Sequence, residues 1–142
     1  MSFLLDTCVV SECLKPKPEA AVQAWLDRND SPGVFLSVLV IGEIRQGIAR
    51  IAGTPKAASL ENWLEQSLLP RFDRRVLPVD EAVAKCWGDL RGTAMMRGIT
   101  PPVIDSLLAA TALVNRLTVV TRNTQDFEAF GVELIDPWSA HP

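Results

Sequence analysis

The sequence predicts an α/β fold: a single three-layer domain with a mostly parallel central sheet of about five strands, flanked by helices. Two observations carry that reading. Short apolar runs alternate along the chain with longer segments whose apolar residues recur at helical spacing, and strands linked by helices run parallel through right-handed crossovers. No linker, repeat or low-complexity stretch breaks the alternation across the 142 residues. That length fits one domain spanning 1–142 and suffices to bury a core.

The first strand covers 2–5 and begins almost at Met1. A helix follows over 7–14, stopped by Lys15-Pro16-Lys17-Pro18, then a second over 19–29 with Val22, Trp25 and Leu26 at helical spacing. A turn at 30–33 leads into a buried strand over 34–36. Ser37 caps a third helix running to Ala52, striped by Val40, Ile44, Ile48 and Ile51 and stopped by Gly53. Thr54 and Pro55 then supply a cap and a first-position proline for a fourth helix with Leu60, Trp63, Leu64 and Leu68 on its core face. A third strand over 76–79 is weakened by Pro78. Asp80 caps a fifth helix ending near Arg97-Gly98, and Thr100-Pro101-Pro102 opens a sixth over 103–115. A β-branched strand at 118–121, a helical turn or two at 124–130 and a last strand at 132–135 complete the chain.

Composition narrows the function. Hydrophobic residues make up 48% and charged residues 22%, as in an ordinary globule, and no 18-residue apolar run spans a membrane. Without a basic, apolar leader the expected location is cytoplasmic. Cys8, Cys13 and Cys86 are odd in number and form no CxxC pair, so reduced, buried thiols are expected. The single histidine, His141, stands next to last. That position argues against a Ser-His-Asp triad, and a paired-histidine ribonuclease is impossible within one chain. A hydrolase on this sequence is left with carboxylates and a divalent cation.

Five positions hold candidate chemistry. Asp6 leaves the first strand at its carboxyl end, where α/β sheets hold ligands, with the hydroxyls of Thr7 and Ser11 close by; it also reads as the cap of the next helix. Glu43 lies at the flank of the third helix's apolar stripe, a place that also suits a solvated glutamate. Asp105 opens the sixth helix, where an acid favours the dipole. It shares a face with Ala109 and Ala112, small residues that bring the helix close to the sheet and turn the carboxylate inward. Asn123 and Asp126 follow the strand at 118–121, and Asn123 equally reads as a cap for the turn at 124–130. Jointly these positions fall on elements that meet at one sheet edge. The oxygen-rich set they make is the kind that holds magnesium or manganese with several waters retained.

At these residues the chain resembles the PIN domains of VapC-type toxins, particularly the FitB-like branch. The matching segments are Leu4-Leu5-Asp6-Thr7 with Ser11-Glu12, and Gly42-Glu43-Ile44-Arg45-Gln46-Gly47-Ile48. They continue with Asp105-Ser106-Leu107-Leu108-Ala109-Ala110-Thr111-Ala112, then Val119-Val120-Thr121-Arg122-Asn123-Thr124-Gln125-Asp126-Phe127, and close on Asp136-Pro137-Trp138. The resemblance implies a PIN, Rossmann-like sheet with an acidic pocket at its strand ends and a Mg2+- or Mn2+-dependent endoribonuclease neutralised by a cognate antitoxin. It also implies a homodimer, within a toxin–antitoxin assembly that binds operator DNA through the antitoxin. Asp6, Glu43 and Asp105 match the acidic metal-binding residues. Asn123 departs from the pattern, since relatives often have aspartate there; with Asp126 as the charge nearby, these two are second-tier ligands.

The chemistry expected is phosphodiester hydrolysis, with Asp6 and Asp105 anchoring a cation and Glu43 binding metal or accepting a proton from water. The net charge of −3 is unusual for an RNA-binding chain, but ten of the fourteen basic residues are arginine, suited to phosphate. Arg71, Arg74 and Arg75 cluster, and Arg45 and Arg50 share Glu43's helix; a solvated surface is the competing reading. A groove between the second and fourth helices suits an amphipathic antitoxin segment. Two other functions compete: a catalytically weak PIN module acting mainly through its antitoxin complex, kept open by Asn123, and a phosphotransferase using Asp6 as nucleophile. The latter lacks a second aspartate, because Cys8 occupies that place.

Overall fold

A computed structural model describes residues 1–30 and 32–139; His141 and Ser31 of the expected turn lie outside them. Five strands, β1 (Phe3–Leu5), β2 (Val34–Ser37), β3 (Val76–Leu77), β4 (Thr118–Val120) and β5 (Leu134–Ile135), form one sheet ordered β3-β2-β1-β4-β5. All its pairings are parallel. The helices are α1 (Thr7–Glu12), α2 (Ala20–Asn29), α3 (Val38–Arg50), α4 (Pro55–Trp63), α5 (Leu69–Arg71), α6 (Glu81–Met96) and α7 (Val103–Asn115). Strand order reverses between β1 and β4, which makes their carboxyl ends the topological switch point where such sheets take ligands. The register pairs Leu5 with Val120, so Asp6 and Thr121 leave the sheet side by side.

The core forms as the apolar pattern requires. Leu4, Leu36, Val119 and Val120 are buried, as expected of central parallel strands. Trp25 packs edge-on to Phe3 with ring centroids 5.0 Å apart. Trp87 donates its indole N–H to Ser106 Oγ at 3.0 Å and so ties α6 to α7. Ser37, Thr54 and Asp80 cap α3, α4 and α6 through their side-chain oxygens, as the sequence predicts.

Several boundaries differ, each for a local reason. The fourth helix passes through a π-helical turn, Leu64–Leu68, before continuing as α5. The Leu69 N–H reaches back to Leu64 O. Pro70 has no N–H to give and its ring crowds the carbonyl four residues earlier, so the wide turn falls just ahead of it. Pro78 likewise ends β3 after two residues. The third helix stops at Arg50, because 51–53 form the turn in which Gly53 takes φ +85°. The stretch 124–130 is two 3₁₀ turns, Thr124–Asp126 and Glu128–Phe130, and only Leu134–Ile135 of the last apolar run pairs as strand. The three cysteines are free, but none is fully buried as expected: Cys8 and Cys86 are half-buried, and Cys13, the C-cap residue of α1, is exposed. No helix among the described residues is long and apolar enough to cross a membrane.

Candidate active site

β1 delivers Asp6 to the switch point, where its carboxylate is only 6% exposed. Oδ1 accepts the Thr7 N–H at 2.8 Å and caps α1. Oδ2 accepts the Thr121 hydroxyl at 2.8 Å. The capping role and a site role are therefore not rivals, since each uses a different oxygen. Thr121, fully buried at the end of β4, also accepts the Asn123 N–H at 3.0 Å. The sequence did not single out Thr121 as a partner of Asp6. The available signal was a hydroxyl closing the strand beside the one that ends in an acid.

Cys8 sits 3.6 Å from both Asp6 Oδ2 and Thr121 Oγ1, and the Arg122 N–H donates to its sulfur at 3.5 Å. Burial, then the Asp6 charge, push its thiol pKa up. Cys8 is thus a neutral S–H beside the carboxylate and not a thiolate nucleophile.

Glu43 lies in the second turn of α3 and is half-buried. Its Oε1 accepts the Thr7 hydroxyl at 2.6 Å, so α1 orients both carboxylates through a single threonine. Arg45 turns away from Glu43 and pairs with Glu61 at 3.1 Å.

Asp105 occupies the first turn of α7, whose Ala109 and Ala112 are fully buried. The expected close approach of this helix is thus realised, and Asp105 is half-buried with no hydrogen bond or ion pair among the described residues. Loss of water, then the charges of Asp6, Asp126 and Glu43 in that order, push its carboxyl up to about 6. Three carboxylates therefore act on Asp105 across the strand ends. Asn123 stands at the same end of β4, exposed, held through its backbone to Thr121; its side chain does not cap the following turn. Asp126 N–H donates to Asn123 O at 3.0 Å, which holds the two second-tier residues in one turn.

Among the described residues, no three Asp, Glu, His or Cys side chains close into a ready cation cage. The donor chemistry is nonetheless all oxygen and strongly negative. That suits a hard cation held by one or two carboxylates with its waters kept, and does not suit a metal requiring a full protein shell. A cleft of about 480 Å³ lies along α6, with Cys86, Asp89 and Arg97 in its lining, and includes none of these acids. Converging charge, rather than cavity size, locates the site.

Much of the arginine surface serves the fold. Arg75 donates to Val34 O at 2.8 Å and to Arg71 O, and lies over the Phe72 ring. Arg71 pairs with Asp30 at 3.3 Å, and Arg122 lies over Trp138, 5.2 Å from its centroid.

Comparison with known proteins agrees with this architecture. The PIN domain family matches residues 3–132. The toxin FitB of Neisseria gonorrhoeae is 42% identical over 136 residues, 96% of this chain and 98% of that protein. The VapC ribonuclease Y4jK of Sinorhizobium fredii is 36% identical over 136 residues, 96% of this chain and 97% of its own length. The solved structure of FitAB bound to an IR36 DNA fragment matches with TM-score 0.90 at 39% identity, covering 99% of this chain and 98% of that one. With four acids at the β1/β4 switch point of a five-stranded parallel sheet, the chain belongs to the PIN-domain family, among the FitB and VapC toxins of toxin–antitoxin systems.

Proposed function

We propose that this chain is a Mg2+- or Mn2+-dependent endoribonuclease, the toxin of a type II toxin–antitoxin module, that hydrolyses RNA phosphodiester bonds in the cytoplasm. The observation that supports it best is Asp105, a half-buried carboxylate raised to about 6 by loss of water and then by three neighbouring acids, and left without a cationic partner among the described residues. Ionising such a cluster at neutral pH is costly, and a bound cation relieves that cost. The ribonuclease name of a relative at 36% identity points the same way.

In this reading Asp6 and Asp105 hold the cation, with Asn123 and Asp126 as supplementary ligands. A bound divalent cation supplies charge stabilisation at the scissile phosphate and eases ionisation of a water. Glu43 either joins the ligands or takes the proton of the attacking water, and Thr7 keeps its Oε1 in place for that. Thr121 and the Thr7 N–H fix both oxygens of Asp6, so the ligand is pre-organised before substrate arrives.

The partner reading follows from a second cleft, about 280 Å³, between α2 and the π-helical turn. Leu26, Trp63, Leu68 and Phe72 line it, with Arg71 at its edge. An amphipathic antitoxin segment would bury apolar residues there, within a homodimeric assembly that reaches operator DNA through the antitoxin, as FitAB is described bound to DNA.

Incubation of the chain with total RNA and Mg2+ or Mn2+, with and without EDTA, tests the reading. Cleavage is expected only with metal, and is expected to vanish in Asp6→Asn and Asp105→Asn and in the complex with the small protein encoded beside it. Full metal-dependent cleavage by both variants would overturn the proposed site; a wild-type chain that binds its antitoxin and cleaves nothing would be the catalytically weak binding module instead.

A further inference from the structure

A third cleft opens directly off the acidic site. It has a volume of about 420 Å³ and runs between α1, α3 and the start of α4, with Thr7, Ser11 and Glu43 in its lining together with Gly47, Arg50 and Lys56. Glu43, Gly47 and Arg50 follow one face of α3 at i, i+4 and i+7, so Arg50 stands about 10 Å along the helix from Glu43. Lys56, in the first turn of α4, lies just past the turn that ends α3 and joins Arg50 at that end. The walls between are aliphatic, including Leu14 and Leu60.

The charges are arranged in a way the fold does not require. Arg45 on the same helix is neutralised by Glu61, whereas Arg50 and Lys56 form no ion pair among the described residues. Arg50 suits the last turn of a helix, but Lys56 sits in a first turn, where the dipole disfavours a cation. Two uncommitted cations at the far end of a cleft that begins at a carboxylate cluster complement a chain of evenly spaced anions. We infer that this cleft is the subsite that holds the RNA strand next to the cleaved bond, with Arg50 and Lys56 binding a neighbouring phosphate; the inference rests on the ribonuclease reading above. Its lining contains no aromatic side chain and, besides the cations, only hydroxyls and one acid as polar groups. The subsite therefore positions the backbone and adds little sequence preference.

The test uses the full chain. In an Asp6→Asn background that blocks cleavage, binding of a labelled oligouridylate of about 12 nucleotides is followed between about 50 and 200 mM salt. Arg50→Gln with Lys56→Gln is expected to flatten the slope of log affinity against log salt by about 0.7, the contribution of one phosphate on a single strand. Arg45→Gln is expected to leave the slope in place. In the cleavage-competent chain the same pair raises KM for the oligouridylate with kcat held near wild type. Gly47→Leu, whose added Cβ meets no atom within 4 Å, is expected to raise KM by narrowing the cleft while keeping the melting temperature. Unchanged slope and KM in the Arg50/Lys56 variant, with metal-dependent cleavage intact, would overturn the subsite and leave the ribonuclease reading standing. An equal loss of slope in Arg45→Gln would overturn it as diffuse charge, and loss of antitoxin binding with RNA binding intact would reassign the cleft to a protein partner. A wild-type chain that cleaves no RNA with either metal would remove both readings.

Discussion

Two carboxylates withdrawn from water have opposite fates in this molecule. Glu12, at the end of α1, is buried, with Oε1 on the Lys15 ammonium at 2.8 Å and Oε2 accepting the Glu19 N–H at 3.0 Å. Those partners hold its carboxyl below the usual range, Lys15 first. Asp105 is only half-buried, yet it finds no partner among the described residues and is pushed up to about 6 by loss of water and by three other acids. Glu12 closes the corner between α1 and α2 across the Lys-Pro turn. Asp105 has no compensating group among the described residues. A polar group satisfied within the fold stabilises it, whereas one left unsatisfied at a switch point marks chemistry.

The sharpest way to break that contrast is to neutralise each acid in turn. Asp105→Asn is expected to lower metal-dependent RNA cleavage about 10²-fold or more, while raising the melting temperature of the metal-free protein, since the mutual repulsion is relieved. Glu12→Gln is expected to do the reverse: cleavage near wild type and a lower melting temperature, because the ion pair with Lys15 is lost. Parallel thermal melts and RNA cleavage assays read both. A destabilised Asp105→Asn would mean that the folded chain had a use for this charge.

The two acids also predict opposite pH responses. The folded state raises Asp105 from 3.8 to about 6, so it binds the extra proton across that window. Its contribution to stability is fully present below 3.8 and is lost as pH rises through about 6. Glu12 is lowered from 4.5, so its contribution is present above that value and is lost as pH falls below it. Above 4.5, where the Glu12 contribution is complete, metal-free melting temperatures are therefore expected to decline as pH rises to about 6, and Asp105→Asn to remove that decline. Because a ligand carboxylate must be ionised, Mg2+ should raise the melting temperature above about pH 6 far more than below it. Equal stabilisation by Mg2+ on both sides of that pH would place the cation away from Asp105.

How much of this was legible in the chain follows from the range of the interactions. Capping is local, so Ser37, Thr54 and Asp80 could be read directly. The sheet was legible because apolar runs and helical stripes alternate, and the order of elements then brought Asp6, Glu43, Asp105 and Asp126 to one edge. The π-helical turn before Pro70 was not, because it depends on which of two carbonyls the Leu69 N–H chooses. Thr121 was hidden for the opposite reason: its partner Asp6 lies 115 residues earlier, and only the parallel pairing of β1 with β4 joins them. The arginine cluster looked like a phosphate surface in one dimension, whereas Arg75 spends its donors on the backbone of β2 and α5.

Thr121 allows a smaller test of the same contrast. Thr121→Val keeps the shape and removes the donor to Asp6 Oδ2. A residue that only orients a ligand is expected to cost about tenfold in metal affinity or cleavage, less than the loss of Asp105. A matching shift in the metal concentration that half-activates the enzyme would show that Thr121 acts through Asp6. Lost stability with unchanged metal response would make it a packing residue.

The smallest effect is expected at Asn123, and it decides how far the uncompensated cluster extends. Its side chain is exposed and forms no hydrogen bond among the described residues, so Asn123→Asp should change metal-free stability by less than about 0.5 kcal/mol. If position 123 faces the cation, the added charge should tighten Mg2+ or Mn2+ binding by roughly 1.4- to fivefold, the range of about 0.2–1 kcal/mol for an exposed charge pair. It should also raise Asp105 further in the metal-free protein, as Asp126 already does. Calorimetric titration with Mn2+ reads the first effect, and a shift of the pH-dependent melting profile reads the second. A higher Asp105 pKa without tighter metal binding would place position 123 within the field of the cluster but outside the reach of its cation, leaving Asp126 as the supplementary ligand.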